Sequence, residues 1–483
     1  MNGSIEEITH DIKTLFVSNN EQAITNLQML PLSGSNRIYF RIFTETSTYI
    51  AAYNTNSQEN DTFLYFSKHF KSIGLPVPTV YFINQEHSIY IQEDLGKENL
   101  LDRMEQVGKD ARVYSLYEKS LSQLARIQII GDKDLDYNQC FAAKSFGKQA
   151  IFNDLLYFKY YFLDTLSIPY NKQLLQEELE QLSTFLADSE HQYFMFRDFQ
   201  SRNILVKGEE VSFIDYQGGM KGALQYDVAS LLWQAKANLS EEWKDSLLDY
   251  YINEVETILG KSLDKAAFIH QYNGYSLIRL LQVLGAYGFR GLFERKTHFI
   301  TSIPLALKNI QFFVANKEIG IQLPLLHELL LQISSEEIIS RFTIPQANEN
   351  TPLVVEINSF SYRNGIPVCD NESGGGYVFD MRGILNPGRF DDYKKLSGLD
   401  KPVQDFLKER TKMGAFLNSV WEVIDISVEN YLERGFEHLS VNFGCTGGQH
   451  RSVFAAEQTA KHLKEKYNLR VELSHTNREK WVK

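Results

Sequence analysis

The stretch Tyr193–Leu232, YFMFRDFQSRNILVKGEEVSFIDYQGGMKGALQYDVASLL, constrains this chain more than any other. Three polar residues, Asp198, Asn203 and Asp215, stand in it among apolar neighbours. Tyr193–Phe196 is apolar and strand-like. Ile204–Val206 and Val211–Ile214 are two β-prone runs, with Lys207-Gly208-Glu209-Glu210 as the turn between them. A hairpin of that size returns Asn203 and Asp215 to each other, beside Asp198. Two carboxylates and an amide then meet at the mouth of a small sheet.

Such a constellation suits phosphoryl transfer. That reaction asks for a carboxylate to accept a hydroxyl proton and for oxygen ligands that hold Mg²⁺ on nucleotide phosphates. Asp198 fits the base; Asn203 and Asp215 fit the metal ligands. The order R-D-x-x-x-x-N, strand, D-x-x-G is that of a kinase catalytic loop. Phe196 stands where a His is usual, and Asp215-Tyr216-Gln217-Gly218 replaces Asp-Phe-Gly. Each residue alone reads equally as a turn residue; spacing and flanking strands favour the chemistry.

The 483 residues exceed one core, so two or three domains are expected. Hydrophobic content of 43% and charge of 23% are those of a soluble globular protein without a membrane span. The polar, amphipathic start MNGSIEEITHDIKTLF is unlike a signal peptide. Cys140, Cys369 and Cys445 are too sparse for a disulfide framework or zinc cluster, which points to a reducing cytoplasm. The net charge of −12 argues against a nucleic-acid partner. Residues 351–483 hold 18 of the 49 basic and 18 of the 61 acidic residues, so all of the −12 falls in 1–350. This shift, with the polar run Ile344–Pro352, sets the expected boundary: a first domain 1–343, a linker 344–352 and a second domain 353–483.

The segments Arg197-Asp198-Phe199, Arg202-Asn203, Phe213–Gly218 and Gln225-Tyr226-Asp227 resemble the aminoglycoside phosphotransferase and choline kinase superfamily. Within it, the resemblance is nearest to bacterial anomeric kinases of N-acetylmuramate and N-acetylglucosamine. It implies an α+β, protein-kinase-like bilobal domain, with a small β-rich N-lobe at about 1–95 and a helical C-lobe at about 96–343. ATP and Mg²⁺ are the implied cofactors. Ser33-Gly34-Ser35-Asn36 is then the turn covering the nucleotide phosphates. Glu93-Asp94-Leu95-Gly96 is the hinge whose backbone, at Glu93 and Leu95, would meet adenine. The usual phosphate-binding lysine is missing: Ala51 and Ala52 occupy its strand. Arg37 or Arg41 could supply the cation, although each alone reads as an exposed strand arginine; Arg41 is carried as the nucleotide-site candidate. Glu59 matches an acidic family position whose ion-pair role the absent lysine leaves open. Asp227 reads as the N-cap of a helix from Val228. Arg279, in Ser276–Gly285, reads equally as a buried ion-pair partner and as a substrate contact.

Past the boundary, strands are expected at Leu353–Ser359, Tyr377–Met381, His438–Phe443 and Leu469–Leu473, with helices at 411–434 and Val453–Tyr467. Gly444-Cys445-Thr446-Gly447-Gly448-Gln449-His450-Arg451-Ser452 joins strand to helix. A glycine-rich loop at a helix start is a phosphate cradle, so an α/β domain with a glycine-rich phosphate-binding loop is expected. The residues Phe360–Tyr362, Gly365–Pro367, Phe379–Arg382, Asn386-Pro387, Leu396–Val403 and the loop resemble the C-terminal domain of RapZ. That resemblance implies a sugar-phosphate ligand held by Gly444–Ser452, Arg382 and His475. A rival reading takes Cys445-x-x-Gly448-x-x-Arg451-Ser452 as a cysteine phosphatase signature with Asp400 as the acid. Gly444, where that signature has His, argues against it.

These expectations combine into a cytoplasmic, ATP-dependent kinase of an amino sugar with an appended sugar-phosphate domain. An aminoglycoside or choline kinase, a regulatory protein with a degenerate kinase fold and a kinase–phosphatase fusion are the alternatives. Oligomeric state is not legible.

Overall fold

The computed structural model describes residues 4–31, 37–189, 192–367 and 376–482. The expected turn Ser33–Asn36 and Cys369 lie outside them. The chain forms two compact units, the first ending at Phe342 and the second beginning at Thr343.

The first unit opens with α1 (Ile5–Asn19), started by a reciprocal bond pair between Ser4 and Glu7. An antiparallel sheet follows, with β1 (Asn26–Met29), β2 (Ile38–Phe43), β3 (Thr48–Tyr53), α2 (Ser57–Ser72), β4 (Val80–Ile83) and β5 (Ile89–Glu93), in spatial order β1-β2-β3-β5-β4. Alternation along β2 sorts its side chains. Ile38, Phe40 and Ile42 pack with Ile8, Ile12 and Phe16 of α1. Arg37, Tyr39 and Arg41 thus belong to the other face, where Tyr39 joins the main core with Ala52, Phe63 and Tyr90.

Helices α3 (Leu100–Val107), α4 (Ala111–Asp132), α5 (Lys148–Tyr161) and α6 (Lys172–Ala187) come next. Four short strands then carry the predicted motif: β6 (Gln192–Met195), β7 (Ile204–Lys207), β8 (Glu210–Phe213) and β9 (Met220–Ala223). β7 and β8 form the expected hairpin, turned at Gly208 with φ +66°. β9 was not expected; it pairs antiparallel with β6 and so closes the motif from outside. The unit ends with α7 (Leu224–Leu232), α8 (Glu241–Leu259), α9 (Lys265–Tyr287), α10 (Thr297–Ile300), α11 (Ile303–Asn316), α12 (Pro324–Ile333) and α13 (Glu336–Phe342). α12 and α13 are separated at Ser334-Ser335. Asp227 lies within α7, whose N-cap is Ala223, so it is not the cap the sequence suggested.

The second unit contains β10 (Val354–Ser361), β11 (Gly376–Asp380), α14 (Lys401–Glu409), α15 (Met413–Arg434), β12 (His438–Cys445), α16 (Arg451–Tyr467) and β13 (Arg470–His475). Its four strands are parallel, in the order β11-β12-β10-β13. Val355, Ile357, Leu439, Val441 and Phe443 share one core with residues of α14, α15 and α16. The run read as a linker packs onto this unit: Ala347 is buried, its N–H donates to Tyr467 O at 2.8 Å, and its carbonyl accepts from Asn468. Among the described residues no helix is long and apolar enough to cross a membrane.

Candidate functional site

β6 leads straight into the catalytic-loop motif. Arg197 there has φ +79°, a left-handed backbone that costs a non-glycine residue about 1–3 kcal/mol. Several contacts hold it. The buried Asp227 carboxylate accepts the N–H groups of Phe196 at 2.7 Å and Arg197 at 3.0 Å, and the Gln128 amide at 3.0 Å. Burial pushes the Asp227 carboxyl up to about 7, against the pull of those donors. The Arg197 guanidinium forms two bonds to Asp154, at 2.9 and 2.8 Å, and one to Tyr226 OH at 2.9 Å. It also lies 4.5 Å from the centre of the Phe146 ring.

The fixed loop presents Asp198, whose side chain is 45% exposed beside an Arg279 side chain that is 5% exposed. Asp198 can therefore meet solvent while the arginine stays dry. Arg279 Nη2 lies 3.3 Å from Asp198 Oδ1, and its Nη1 donates to Gln282 Oε1 at 2.6 Å. Asn203 Nδ2 donates to Asp198 O at 2.8 Å and to Asp215 Oδ2 at 3.2 Å. The three predicted residues are thus brought together. Asp215 has φ +71°, and Gln217 Nε2 donates to its Oδ1 at 2.8 Å. Burial first, and then the Asp198 charge, push the Asp215 carboxyl up, while Arg37 and Arg202 pull it down. Two carboxylates in mutual repulsion beside an amide oxygen are a fitting donor set for Mg²⁺, which takes few protein ligands besides phosphate and water. Among the described residues no group of three or more His, Cys, Asp or Glu forms a metal cluster.

The N-lobe corrects the reading of both arginines as exposed. Arg37 and Arg41 are 3% and 5% exposed. Arg37 Nη2 pairs with Glu59 Oε1 of α2 at 3.0 Å. Arg41 forms two bonds to Asp94, at 2.7 and 3.1 Å, and one to Gly96 O at 3.0 Å, so it braces the stretch after β5 from below. The Glu93 carboxylate is spent on Thr79 N–H, Thr79 Oγ1 and Lys71, and Glu93 N–H donates to Thr79 O. Leu95 is half-buried in the irregular stretch that follows. Asp154, Tyr226 and Gln217 were missed in the sequence. Only the nearness of Gln217 to Asp215 could have marked one of them.

In the second unit, β12 ends at Cys445 and α16 starts at Arg451, two residues earlier than expected. Gly448 has φ +63°, and a Cβ there would stand 2.9 Å from Asn477 Cβ, so the fold itself requires this glycine. A Cβ at Gly447 would meet nothing within 4 Å. The Cys445 thiol lies 3.1 Å from Ser452 Oγ and accepts Gly448 N–H at 3.2 Å. Burial raises its proton affinity, but Ser452, Arg451 and Gly448 together outweigh that and bring the thiol below its ordinary value. The Thr446 carbonyl accepts Ser361 Oγ at 2.8 Å.

Not every expected charge is available. His450 is buried, its Nε2 is 2.9 Å from Tyr393 O, and burial lowers its pKa, so it adds no charge at neutral pH. Arg451 Nη1 donates to the carbonyls of Arg382 and Ile384. Gln449 bonds the backbone of Leu396 and Val482. The two ring nitrogens of His475 face Ser359 Oγ at 2.8 Å and Glu457 Oε1 at 3.1 Å. Arg382 is exposed, pairs with Asp380 at 2.6 Å and lies 3.9 Å over the Tyr362 ring. Asp400 accepts from Ser397 N–H and Oγ ahead of α14, which occupies it as a local turn cap.

Residues 28–260 match the model of the phosphotransferase enzyme family, and residues 353–479 match the RapZ C-terminal domain. A nucleotide-binding protein of Shewanella halifaxensis is 34% identical over 118 residues, covering 24% of this chain and 40% of that protein. One of Pelobacter propionicus is 36% identical over 155 residues, covering 32% and 48%. The chain thus spans less than half the length of these curated relatives. Among solved structures, choline kinase LicA from Streptococcus pneumoniae aligns at 16% identity and TM-score 0.43, over 63% of this chain and 97% of that one. Choline kinase from Cryptosporidium parvum aligns at 14% identity and TM-score 0.46, over 68% and 99%. Two stretches of the chain are thus similar to known families: residues 28–260 to the phosphotransferase enzyme family and residues 353–479 to the RapZ C-terminal domain.

Proposed function

We propose that the first unit transfers the γ-phosphoryl group of ATP to a small sugar, at the anomeric hydroxyl of N-acetylglucosamine or N-acetylmuramate. The observation that carries the transfer chemistry is the Asn203 amide, bonded at once to Asp198 O and Asp215 Oδ2. One side chain ties the base and the metal-side carboxylate into a single frame. The acceptor oxygen bonds to the γ-phosphorus, the bond from that phosphorus to the β–γ bridging oxygen breaks, and the hydroxyl proton passes to Asp198. Mg²⁺ held by Asp215 and Asn203 would neutralise the phosphates. The braced stretch after β5, with Leu95, would receive adenine.

Arg279 supports a neutral or anionic acceptor over a cationic one. It is buried 3.3 Å from the base, and Tyr226 OH joins it to a second, half-buried guanidinium, that of Arg197. Each guanidinium is matched by one carboxylate, Asp198 and Asp154, and choline or an aminoglycoside would add positive charge to that balance. An N-acetylated sugar brings none. The resemblance of the motif segments to anomeric sugar kinases points the same way.

For the second unit, the proposed ligand is a phosphorylated sugar at Thr446–Gly448, with Arg382 at the rim. The open approach at Gly447 supports this. A second reading, thiolate attack by Cys445 on a phosphomonoester, is favoured by the lowered thiol pKa and the Ser452 contact. The commitment of Asp400 to its turn weighs against it.

The test is ATP turnover by the full chain with N-acetylglucosamine, N-acetylmuramate, choline and an aminoglycoside, repeated with Cys445→Ser. Turnover with the acetylated sugars alone supports the proposal. Turnover confined to the cations overturns it, and phosphatase activity lost in Cys445→Ser would establish the second reading.

A further inference from the structure

On α4, Lys119, Ser122, Gln123 and Arg126 follow the i, i+3, i+4, i+7 spacing that sets side chains on one stripe of a helix. Leu121, Leu124 and Ile127 of the same stretch are buried in the main core. A polar stripe of this kind ordinarily faces open water. Here it forms one wall of a cavity of about 380 Å³, a size within the range of small-ligand sites. Gly74 and Pro76 from the loop after α2, Glu210 and Val211 of β8 and Tyr250 of α8 form the other walls. The loop and the strand are tied together, since Phe213 N–H donates to Pro76 O at 2.8 Å. Asp198, Asn203 and Asp215 do not line the cavity.

The side chains of the stripe are unequally engaged. Ser122 Oγ donates to Glu254 Oε2 at 2.5 Å. Lys119 Nζ donates to Glu209 O at 2.8 Å and lies 3.5 Å from Glu210 Oε1, whose side chain is 84% exposed. So open and long a pair holds the ammonium weakly. Arg126 is half-buried and has no hydrogen-bond or ion-pair partner among the described residues. Its Nε is shut off from water as well, so the guanidinium is only partly hydrated and no carboxylate neutralises it. Buried charges are ordinarily paired. The cavity wall thus holds two cations and one carboxylate, in the part of the chain that carries the whole −12.

We propose that this cavity is a binding site for a small oxyanion, a phosphate or a carboxylate, separate from the catalytic motif, with Arg126 as its anchor. A planar guanidinium with unclaimed N–H groups matches two oxygens of one anion at once. Lys119, with two ammonium protons left after Glu209 O, adds charge from the next turns of the helix. The assignment does not depend on what the first unit phosphorylates.

The test uses the full chain, Arg126→Met and Arg126→Lys, with circular dichroism to check folding. Inorganic phosphate and citrate are titrated by calorimetry at constant ionic strength. Hydrogen exchange is followed in peptides covering 74–78 and 207–211. At least one of the two anions should bind the native chain and slow exchange in both peptides, and the anion that does so names the ligand class. Its affinity at this site should fall about 10- to 100-fold in Arg126→Met, the size of one charged hydrogen bond, and less in Arg126→Lys. Anion bound at Thr446–Gly448 leaves these peptides unprotected and is thereby read apart. No protection by either anion, or protection at native concentrations in Arg126→Met, would overturn the assignment. Should Arg126→Met fail to fold, Arg126→Lys decides: native affinity and native protection in it would overturn the anchor.

Discussion

Asp227 Oδ1 accepts the Arg197 N–H at 3.0 Å, and this bond fixes where Asp198 stands. Arg197 is held left-handed by a carboxylate thirty residues downstream, so the reactive loop is pinned from α7 rather than from its own strand. Asp227→Ala would leave the N–H groups of Phe196 and Arg197 buried without this acceptor. The expected loss is about 2–6 kcal/mol, at roughly 1–3 per orphaned donor, read by chemical denaturation. A loss below 0.5 kcal/mol would contradict the pinning.

The same residue gives a pH signature. Its carboxyl is raised to about 7 in the folded chain, against about 3.9 when unfolded. A raised folded pKa means stability that is complete below the unfolded value and is lost as pH rises through the folded one. Between pH 5 and 7 the native chain should therefore lose stability relative to Asp227→Asn, by up to about 1.4 kcal/mol per pH unit. Parallel stability profiles from pH 5 to 8 would show that Asp227 titrates normally.

Asp198→Asn removes the proposed proton acceptor and leaves both Asn203 bonds intact, since those use the Asp198 carbonyl and the Asp215 carboxylate. Turnover should fall about 10²- to 10⁴-fold with ATP affinity unchanged. Asp215→Ala should instead abolish the Mg²⁺ dependence of ATP binding. Turnover surviving Asp198→Asn would displace Asp198 as the base.

Arg279→Met tests the charge of the acceptor wall. Turnover with N-acetylglucosamine should fall by about 100-fold at most, one charged bond, while the ratio of choline to sugar turnover rises. An unchanged ratio would leave Arg279 no part in discrimination.

The two loop glycines separate fold from ligand. Gly448→Ala meets both a left-handed φ and the Asn477 Cβ, and should destabilise the second unit by about 1–3 kcal/mol. Gly447→Ala meets no neighbour and should fold normally, yet weaken the binding of a phosphorylated sugar measured by calorimetry. Native affinity in Gly447→Ala would place the ligand elsewhere.

The Asp198, Asn203 and Asp215 constellation was legible because its geometry is local: alternation makes two strands, and a glycine turn with positive φ joins them. The parallel domain was legible for a similar reason, with each strand bounded by polar turns. What escaped depends on distant partners. Arg37 and Glu59 are 22 residues apart on a strand edge and a helix, and no period connects them. Asp227 looked like a cap because acids favour helix starts, while its real partners, Phe196 and Arg197, lie far upstream. β9, four residues with a glycine, has no pattern of its own and exists because β6 offers it an edge. His450 looked like added charge until its burial against Tyr393 removed it.

The most direct measurement is the product of incubating the full chain with ATP, Mg²⁺ and N-acetylglucosamine or N-acetylmuramate, with the phosphorylated position read by ³¹P and ¹H NMR. The account predicts the α-1-phosphate, absent with Asp198→Asn. A phosphate at another hydroxyl, or no transfer to either sugar, would contradict it.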